Sequence, residues 1–591
     1  MAATPGGPIR IANCSGFFGD RLSGAREMVE GGPIDVLTGD WLAELTMLIL
    51  SRIRAKQPGR GFAGTFVTQM EQVLGTCLDR GIKVVSNAGG LDPAGCAEAV
   101  QQVADRLGVA PTIAYVDGDD LMPRLAELAV TGALAPFDDG NTGELGDPSQ
   151  YVTANAYLGC WGIVEALTRG ADVVITGRVT DAAVVMGPAA WHHGWARDDW
   201  NPLAGALAAG HLIECSAQVA GGNYSFFEEV PGIARIGFPW AEVAADGSAV
   251  IGKHDGTGGL ISVGTVTSQL LYEIGGPLYH NPDVTGVFTT VDLEQVGPDR
   301  VRVSGTVGVP PPATLKVAMN RFGGYRNQVS VALTGLDVEA KADVVQATFW
   351  DACPFTPGEF GSVTTRLIRH DHPDPASNEE ATAELRITVK DADERKVGRA
   401  FTNAFTETAL ASIPGLYALS GSPTPAQPYG VYVPATVPAD LVPQYVHVGG
   451  TTVQVASGVV SDKVVEPVVA TPVVEPVETT VPTERVPLGC VVGTRSGDKG
   501  GNANLGVFTR TAEAFDWLAG YLTVDRLREL LPETAPLQIE RHVFRNVWAL
   551  NFVIHGLLDE GVAASTRVDA QAKSLGEWLR ARAVDVPSAL L

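Results

Sequence analysis

Four short runs carry most of the side chains able to do chemistry. The run GTRSGDKGGNANLGV, residues 493–507, sets Arg495, Ser496, Asp498, Lys499, Asn502 and Asn504 among five glycines. Glycines at 497, 500 and 501 free the backbone for an anion-binding nest, to which Arg495 and Lys499 add charge. In GRVTD, residues 177–181, an arginine and an aspartate three residues apart can clamp a carboxylate or phosphate, with Asp181 orienting Arg178; a local ion pair capping the next helix is the plainer reading. In HLIECSAQVAGGNYS, residues 211–225, His211, Glu214, Cys215 and Gln218 fall at helical spacing on one face, with Asn223 beyond. Glu214 or His211 suits a general acid or base there, and Cys215 a nucleophile only if a neighbour lowers its pKa. In KHDGTGGL, Lys253 precedes Gly258 and Gly259, which permit close approach of backbone to an anion; a wide turn explains the same residues.

Other patterns fail on inspection. GSAVIGKH, residues 247–254, places His254 where a phosphate-binding loop needs Ser or Thr, and its Ala-Val-Ile interior reads as a strand. HDHPD, residues 370–374, brings two imidazoles and two carboxylates together but reads as a solvated surface loop, so no metal is expected. No nucleophile elbow and no dinucleotide fingerprint occurs, so no redox cofactor is expected.

The elements that must position these groups are legible. IRIAN, IDVLT, IKVVSNAGG, TIAYVDGD and ADVVITGR read as buried parallel strands, with amphipathic helices between them. Ligands of such sheets bind at the carboxyl ends of the strands. Those tips carry Asn13 and Ser15, Asp40, Asn87 with Gly89 and Gly90, Asp119, and Arg178 with Asp181. The fold class is α/β: a parallel β-α-β domain over 1–185 and a Gly-rich, mixed continuation over 186–457. A Pro/Val-rich linker with a repeated VVEPV follows over 458–487, then an α+β unit over 488–591. In that last unit the run 493–507 is read as a loop between two strands.

A net charge of −25 over 591 residues argues against nucleic acid or an anionic membrane as partner and leaves room for a local basic pocket. Seven scattered cysteines, none in a C-x-x-C pair, fit a reducing compartment, and no signal peptide or spanning segment is evident; a soluble cytoplasmic protein is expected.

The motifs NCSGFFGDR, SNAGGLDPAGCAEAV, VITGRVTDAA, AGHLIECSAQVAGGNYS, IGFPWAEV, KHDGTGGL, QLLYEIGGPLYHNPDV and RSGDKGGNANLGV occur in that order. Together they resemble the acyclic terpene utilization (AtuA-like) family, over about residues 8–340 and 488–590. The resemblance implies a C-terminal ferredoxin-like domain and a place in the catabolism of acyclic terpenoids such as citronellol and geraniol, through branched acyl-CoA thioesters. The expected activity is of hydratase or lyase type on a carboxylated thioester, a small anionic substrate. Asp40, Asp181 and Glu214 would move protons, and Arg178 would hold a distal carboxylate. The substrate-binding set adds the strand-tip residues, Gln218, Asn223, Lys253, the paired glycines and the polar residues of 495–504. A homo-oligomer is expected. The alternative is a non-catalytic subunit or assembly partner of an acyl-CoA carboxylase.

Overall fold

The computed structural model describes residues 6–137, 144–419, 424–458 and 482–591. They form two compact units, one of residues 6–320, 432–562 and 571–591, the other of 321–431 and 563–570. Residues 459–481, which hold both VVEPV repeats, lie outside the described residues, whereas Thr483–Pro487, the end of the expected linker, is a strand paired with Ala583–Pro587.

The larger unit is built on an eleven-stranded mixed sheet. Its centre is five parallel strands in the order Ile9–Asn13, Val36–Gly39, Lys83–Ser86, Val173–Thr176, Ile113–Asp117. Their apolar residues alternate between two cores. Ile11, Val36, Val85 and Val174 face the helices Trp161–Thr168, Ala183–His193 and Trp200–Ile213. Ala12, Leu37, Val84 and Val173 face Gly24–Gly31, Gly64–Arg80 and Pro93–Leu107. A period of two on strands covered on both faces is what near-continuous Val/Ile runs encode. Asp92 caps the helix Pro93–Leu107 by accepting from the Gly95 amide, with proline in the first turn. Antiparallel strands Pro239–Val243 and Gln444–Val448 extend the sheet on its two sides.

The helix Trp200–Ile213 ends one residue before Glu214, and a 3-10 turn, Ser216–Gln218, follows. His211 and Glu214 therefore keep their i, i+3 relation, whereas Cys215 and Gln218 leave the expected shared face. Ala249–Lys253 is a strand, so its amides are committed to a ladder, as the rejection of a phosphate loop required.

The C-terminal part has four antiparallel strands, ordered Gly493–Lys499, Asn502–Phe508, Ala549–Ile554, Ile539–Phe544. The helices Ala512–Tyr521, Val524–Leu530 and Leu575–Arg580 accompany them over a core that includes Leu505, Phe515 and Phe552. The run 493–507 is a tight hairpin and not a loop. Its backbone pairs in register from Gly493↔Phe508 to Lys499↔Asn502, with Gly500 at φ +61 in the turn. That pairing takes in Gly497, while Gly500 and Gly501 form the turn beyond the ladder.

The second unit pairs Ser362–Ile368 with Thr382–Asp391, and that strand with residues 325–334 of the long strand Thr314–Thr334. Val338–Ala352 and Arg399–Thr408 pack on it through Phe349 and Phe401. Within HDHPD, both carboxylate oxygens of Asp371 accept from Arg369, and no group of three or more metal-ligating side chains occurs among the described residues. No helix among them is long and apolar enough to cross a membrane.

Candidate functional site

The strand tips are tied to one another by buried hydrogen bonds. Asn13 donates to the carbonyls of Ile213 and Glu214 over 2.6 and 2.9 Å, which docks the first tip on the end of the helix Trp200–Ile213. Gly16 is required there, because a Cβ would stand 2.6 Å from the Cys215 carbonyl carbon. Asn87 donates to the Asp40 carboxyl, which also accepts from the Leu42 amide. Asp119 accepts from the Arg178 amide and from Asn155, over 2.9 and 2.7 Å. Burial pushes the Asp119 carboxyl up to about 7, against those two hydrogen bonds.

Arg178 spends its guanidinium on the protein. It donates to the Leu42 carbonyl over 2.8 Å, pairs with Asp181 at 3.0 Å and lies 4.1 Å over the Tyr157 ring. With 3% of its side chain exposed, it is buried against Asp181. The plainer reading of GRVTD, an ion pair, is the one that forms.

Around this layer lies a set of charged groups with an unusual pair of properties. Burial is the largest influence on Glu44, Asp181, Lys316 and Asp498, yet these side chains keep about 20–32% of their surface open. These half-buried charged groups on adjoining elements define the candidate recess. Lys316 pairs with Glu44 at 3.3 Å and faces the Tyr157 ring at 4.9 Å, and Tyr157 donates to Glu44 over 2.8 Å. Burial pushes the Glu44 carboxyl up, but Lys316 and Arg178 outweigh it and bring it down to about 2.

Glu214 and His211 form the most informative pair. The His211 ring is fully buried, and its Nε2 lies 3.2 Å from the Leu270 carbonyl, which can only accept. Nε2 therefore carries the proton of a neutral ring, since burial pulls His211 down to about 4. Its Nδ1 is then an acceptor, 3.3 Å from a Glu214 oxygen. Burial and the neighbouring Asp181 and Glu273 push Glu214 well above the usual carboxylate range. Burial and Asp181 also raise Asp40. Cys215 is raised by burial and four carboxyl groups, which suits a thiol and disfavours a nucleophilic thiolate.

The C-terminal hairpin closes against the segment 271–274. The Glu273 amide donates to Asn504 over 2.8 Å, and the Glu273 carbonyl accepts from Lys499 over 2.7 Å. Arg495 lies 4.3 Å over the Tyr272 ring, and Lys573 donates to the Tyr272 hydroxyl and pairs with Asp498 at 3.3 Å. Ser225 exchanges two 2.9 Å hydrogen bonds with the backbone of Thr494, capping the edge strand of the C-terminal sheet.

Asn13, Asp40, Asn87, Arg178, Asp181, Glu214, Arg495, Asp498, Lys499 and Asn504 are thus brought to one region. Other expected residues serve local structure. Lys253 pairs with Asp299 at 2.9 Å and donates to the Thr257 carbonyl, while Gly258 and Gly259 pack on the backbone of Gly232, Arg235 and Ala220. Asn223 donates to Gln218, the Ser15 hydroxyl to Phe17, and Asn502 and Ser496 accept from the amides of Gly556 and Gly576. Gly89 fits against the Thr176 carbonyl, and Gly90 takes φ +52. Glu44, Tyr157, Lys316 and Lys573 went unpredicted; no motif surrounds them.

A separate cleft of about 500 Å³ is lined by Tyr224, Thr267, Phe508, Arg510, Asn546 and Trp548, among others. No carboxyl group of the recess lines it, and its Arg510 is paired with Glu229 at 2.5 Å.

Comparison with protein families gives two matches. The family described as acyclic terpene utilisation family protein AtuA matches residues 9–448, and the AtuA ferredoxin-like domain matches residues 486–585. No curated protein matches the chain.

Proposed function

The chain belongs to the AtuA family of acyclic terpene utilisation, and from that premise we propose that it is an acid–base enzyme of hydratase or lyase type acting on a branched, carboxylated acyl-CoA thioester. The observation that carries this reading is a pair of carboxyl groups with different tasks in one recess. Glu214 is held as a neutral acid beside His211. Asp181 is fixed by Arg178, open on one side, and raised by burial against the pull of that arginine. Removing a proton next to a thioester carbonyl needs a base of raised pKa, and expelling or adding water at the neighbouring carbon needs an acid. Asp181 takes the first task and Glu214 the second. Lys316, anchored by Glu44, offers a fixed cation to charge developing on the thioester oxygen. Asp40, closed behind Asn87, keeps the tip in shape and moves no proton in this scheme. The seven cysteines, none of them in a disulfide, support a cytoplasmic setting.

The test is turnover on a panel of unsaturated and 3-hydroxy acyl-CoA thioesters, with and without a distal carboxylate. Wild type should turn over at least one, and Glu214→Gln and Asp181→Asn should each lower kcat by about 10²–10⁴-fold. No turnover on any member, or full activity in both variants, overturns the proposal. A biotinylated carboxylase co-purifying with an inactive protein would favour the non-catalytic subunit instead.

A further inference from the structure

No residue of the acid–base scheme lines the cleft of about 500 Å³, and its walls have a composition of their own. It lies where the first turns of the helix Val263–Leu270 meet the end of the strand Asn502–Phe508, within one compact unit. Leu260, Leu293, Phe508 and the ring of Trp548, 39% exposed, give it an apolar and aromatic body. Val263, Gly264 and Thr267, at i, i+1 and i+4, turn one face of the helix toward it, while Val266 and Leu270 turn into the core. Glycine is required on that face, because a Cβ on Gly264 would collide with the Tyr224 hydroxyl, another group of the wall.

Thr267 is unlike the other lining groups. It is 3% exposed, yet among the described residues its hydroxyl has no hydrogen-bond partner. A helical threonine often returns its hydroxyl to the carbonyl four residues back, as Thr168, Thr348 and Thr408 do. Thr267 does not, and the space beside it is the cleft. A nearly buried hydroxyl without a partner carries a cost that a ligand's polar group would remove. The charges on the walls decide which polar group that is. Glu229 and Asp292 set two carboxylates against the single guanidinium of Arg510, which Glu229 already holds at 2.5 Å. A carboxylate or phosphate entering there meets a surplus of negative charge. An uncharged hydroxyl does not, and it can both donate to and accept from Thr267.

We infer that this cleft is a binding site for an uncharged, largely apolar alcohol, whose body lies against Leu293, Phe508 and Trp548 and whose hydroxyl pairs with that of Thr267. A concave, mostly apolar space with few polar groups is the ordinary form of a small-molecule site. The site is independent of the function proposed for the recess.

Calorimetric titration of the full-length protein tests this with three probes that share one body. They are 2-(2-naphthyl)ethanol, 2-ethylnaphthalene, which lacks the hydroxyl, and 2-naphthylacetate, which has a carboxylate in its place. Wild type should bind the alcohol about fivefold or more tightly than either of the others, the worth of one hydrogen bond. Thr267→Val keeps the shape and removes the hydroxyl. It should bring the alcohol to the affinity of the hydrocarbon and leave the hydrocarbon's own unchanged. Because that hydroxyl has no partner in the fold, the urea midpoint of Thr267→Val should not fall. Trp548→Ala should weaken the alcohol and the hydrocarbon together, which places them in the cleft. The inference is overturned if the alcohol does not bind, or binds no more tightly than the hydrocarbon or the carboxylate. An alcohol preference that survives in Thr267→Val, or affinities untouched by Trp548→Ala, also overturn it. So does a fallen midpoint in Thr267→Val, which would mean that the hydroxyl already has a partner.

Discussion

Lys499 donates its ammonium to the backbone carbonyl of Glu273 over 2.7 Å, while Asn504, on the other strand of the same hairpin, accepts the Glu273 amide over 2.8 Å. Both polar groups of one peptide residue are therefore satisfied by one hairpin from a domain more than two hundred residues away in sequence. The residue held this way is itself unusual. Glu273 has φ +58, the left-handed region, just beyond the helix Val263–Leu270. A side chain there carries a steric cost, so the hairpin fixes a turn the local chain disfavours.

The first prediction concerns that turn. Glu273→Gly removes the Cβ from a left-handed position and should raise stability by about 1 kcal/mol, offset in part by the loss of a long contact to Lys573. Glu273→Gln keeps the Cβ and should give no gain. Denaturant unfolding of both variants checks this, and a glycine variant less stable than the glutamine variant would contradict it.

The second prediction concerns the fit of the hairpin. A Cβ on Gly497 would stand 2.6 Å from the Tyr272 ring, and one on Gly506 would stand 2.7 Å from the Leu271 Cβ. Each alanine substitution should cost about 1–3 kcal/mol through overpacking. Gly64→Ala has open space around it and serves as control. Limited proteolysis and urea midpoints report the effect. Midpoints unchanged from wild type in both hairpin variants would show that the hairpin does not pack this closely.

The sheet and much of its rim were legible because local chemistry specifies them. Runs such as IKVVS and ADVVIT are apolar on both faces, and their tips end in Asn, Asp or Arg beside glycine. Lys316 was not legible. It stands in the apolar strand run TLKVAMN, where a single lysine reads as an exposed position, and its partner Glu44 lies 272 residues earlier. Lys573 likewise sits in a stretch without a motif and meets Tyr272 only through the tertiary fold. Conversely, KHDGTGGL looked like an anion site, yet its lysine is spent on Asp299 and its glycines on close packing. A single sequence shows which residues are polar and flexible. It does not show which partner, hundreds of residues away, has already claimed them.

The third prediction separates position from chemistry at Glu214. Glu214 stands 3.3 Å from His211 Nδ1, within reach of a proton shared between them; on that reading Glu214→Gln, whose amide also donates, should fold with stability within about 1 kcal/mol of wild type. Glu214→Ala removes the donor and leaves a buried imidazole nitrogen unmet, at a cost of about 1–3 kcal/mol. Equal stability of the alanine and glutamine variants would indicate that no such hydrogen bond exists. A protonated carboxyl band in the infrared spectrum of wild type at neutral pH, absent from Glu214→Gln, is the direct check on its charge state.

The last prediction is a pH dependence with a defined sign. Burial and Glu273 raise the Asp498 carboxyl from an ordinary 3.8 to about 6, against the pull of Lys573. A carboxyl that holds its proton more tightly in the folded state contributes stability below the unfolded value, and that contribution is lost as pH rises through the folded one. Asp498 therefore favours folding below about pH 4 and ceases to do so above about pH 6. His211 runs the other way. Burial lowers it from 6.5 to about 4, so its contribution is present above 6.5 and lost as pH falls through 4. The two overlap, so the whole-protein profile does not isolate either. The difference between wild type and Asp498→Asn does, because His211 is common to both. That difference should shift against wild type as pH rises from 4 to 6 and then level off. A difference that stays constant over this window would place Asp498 in ordinary solvent, outside the recess wall it shares with Lys573 and Glu273.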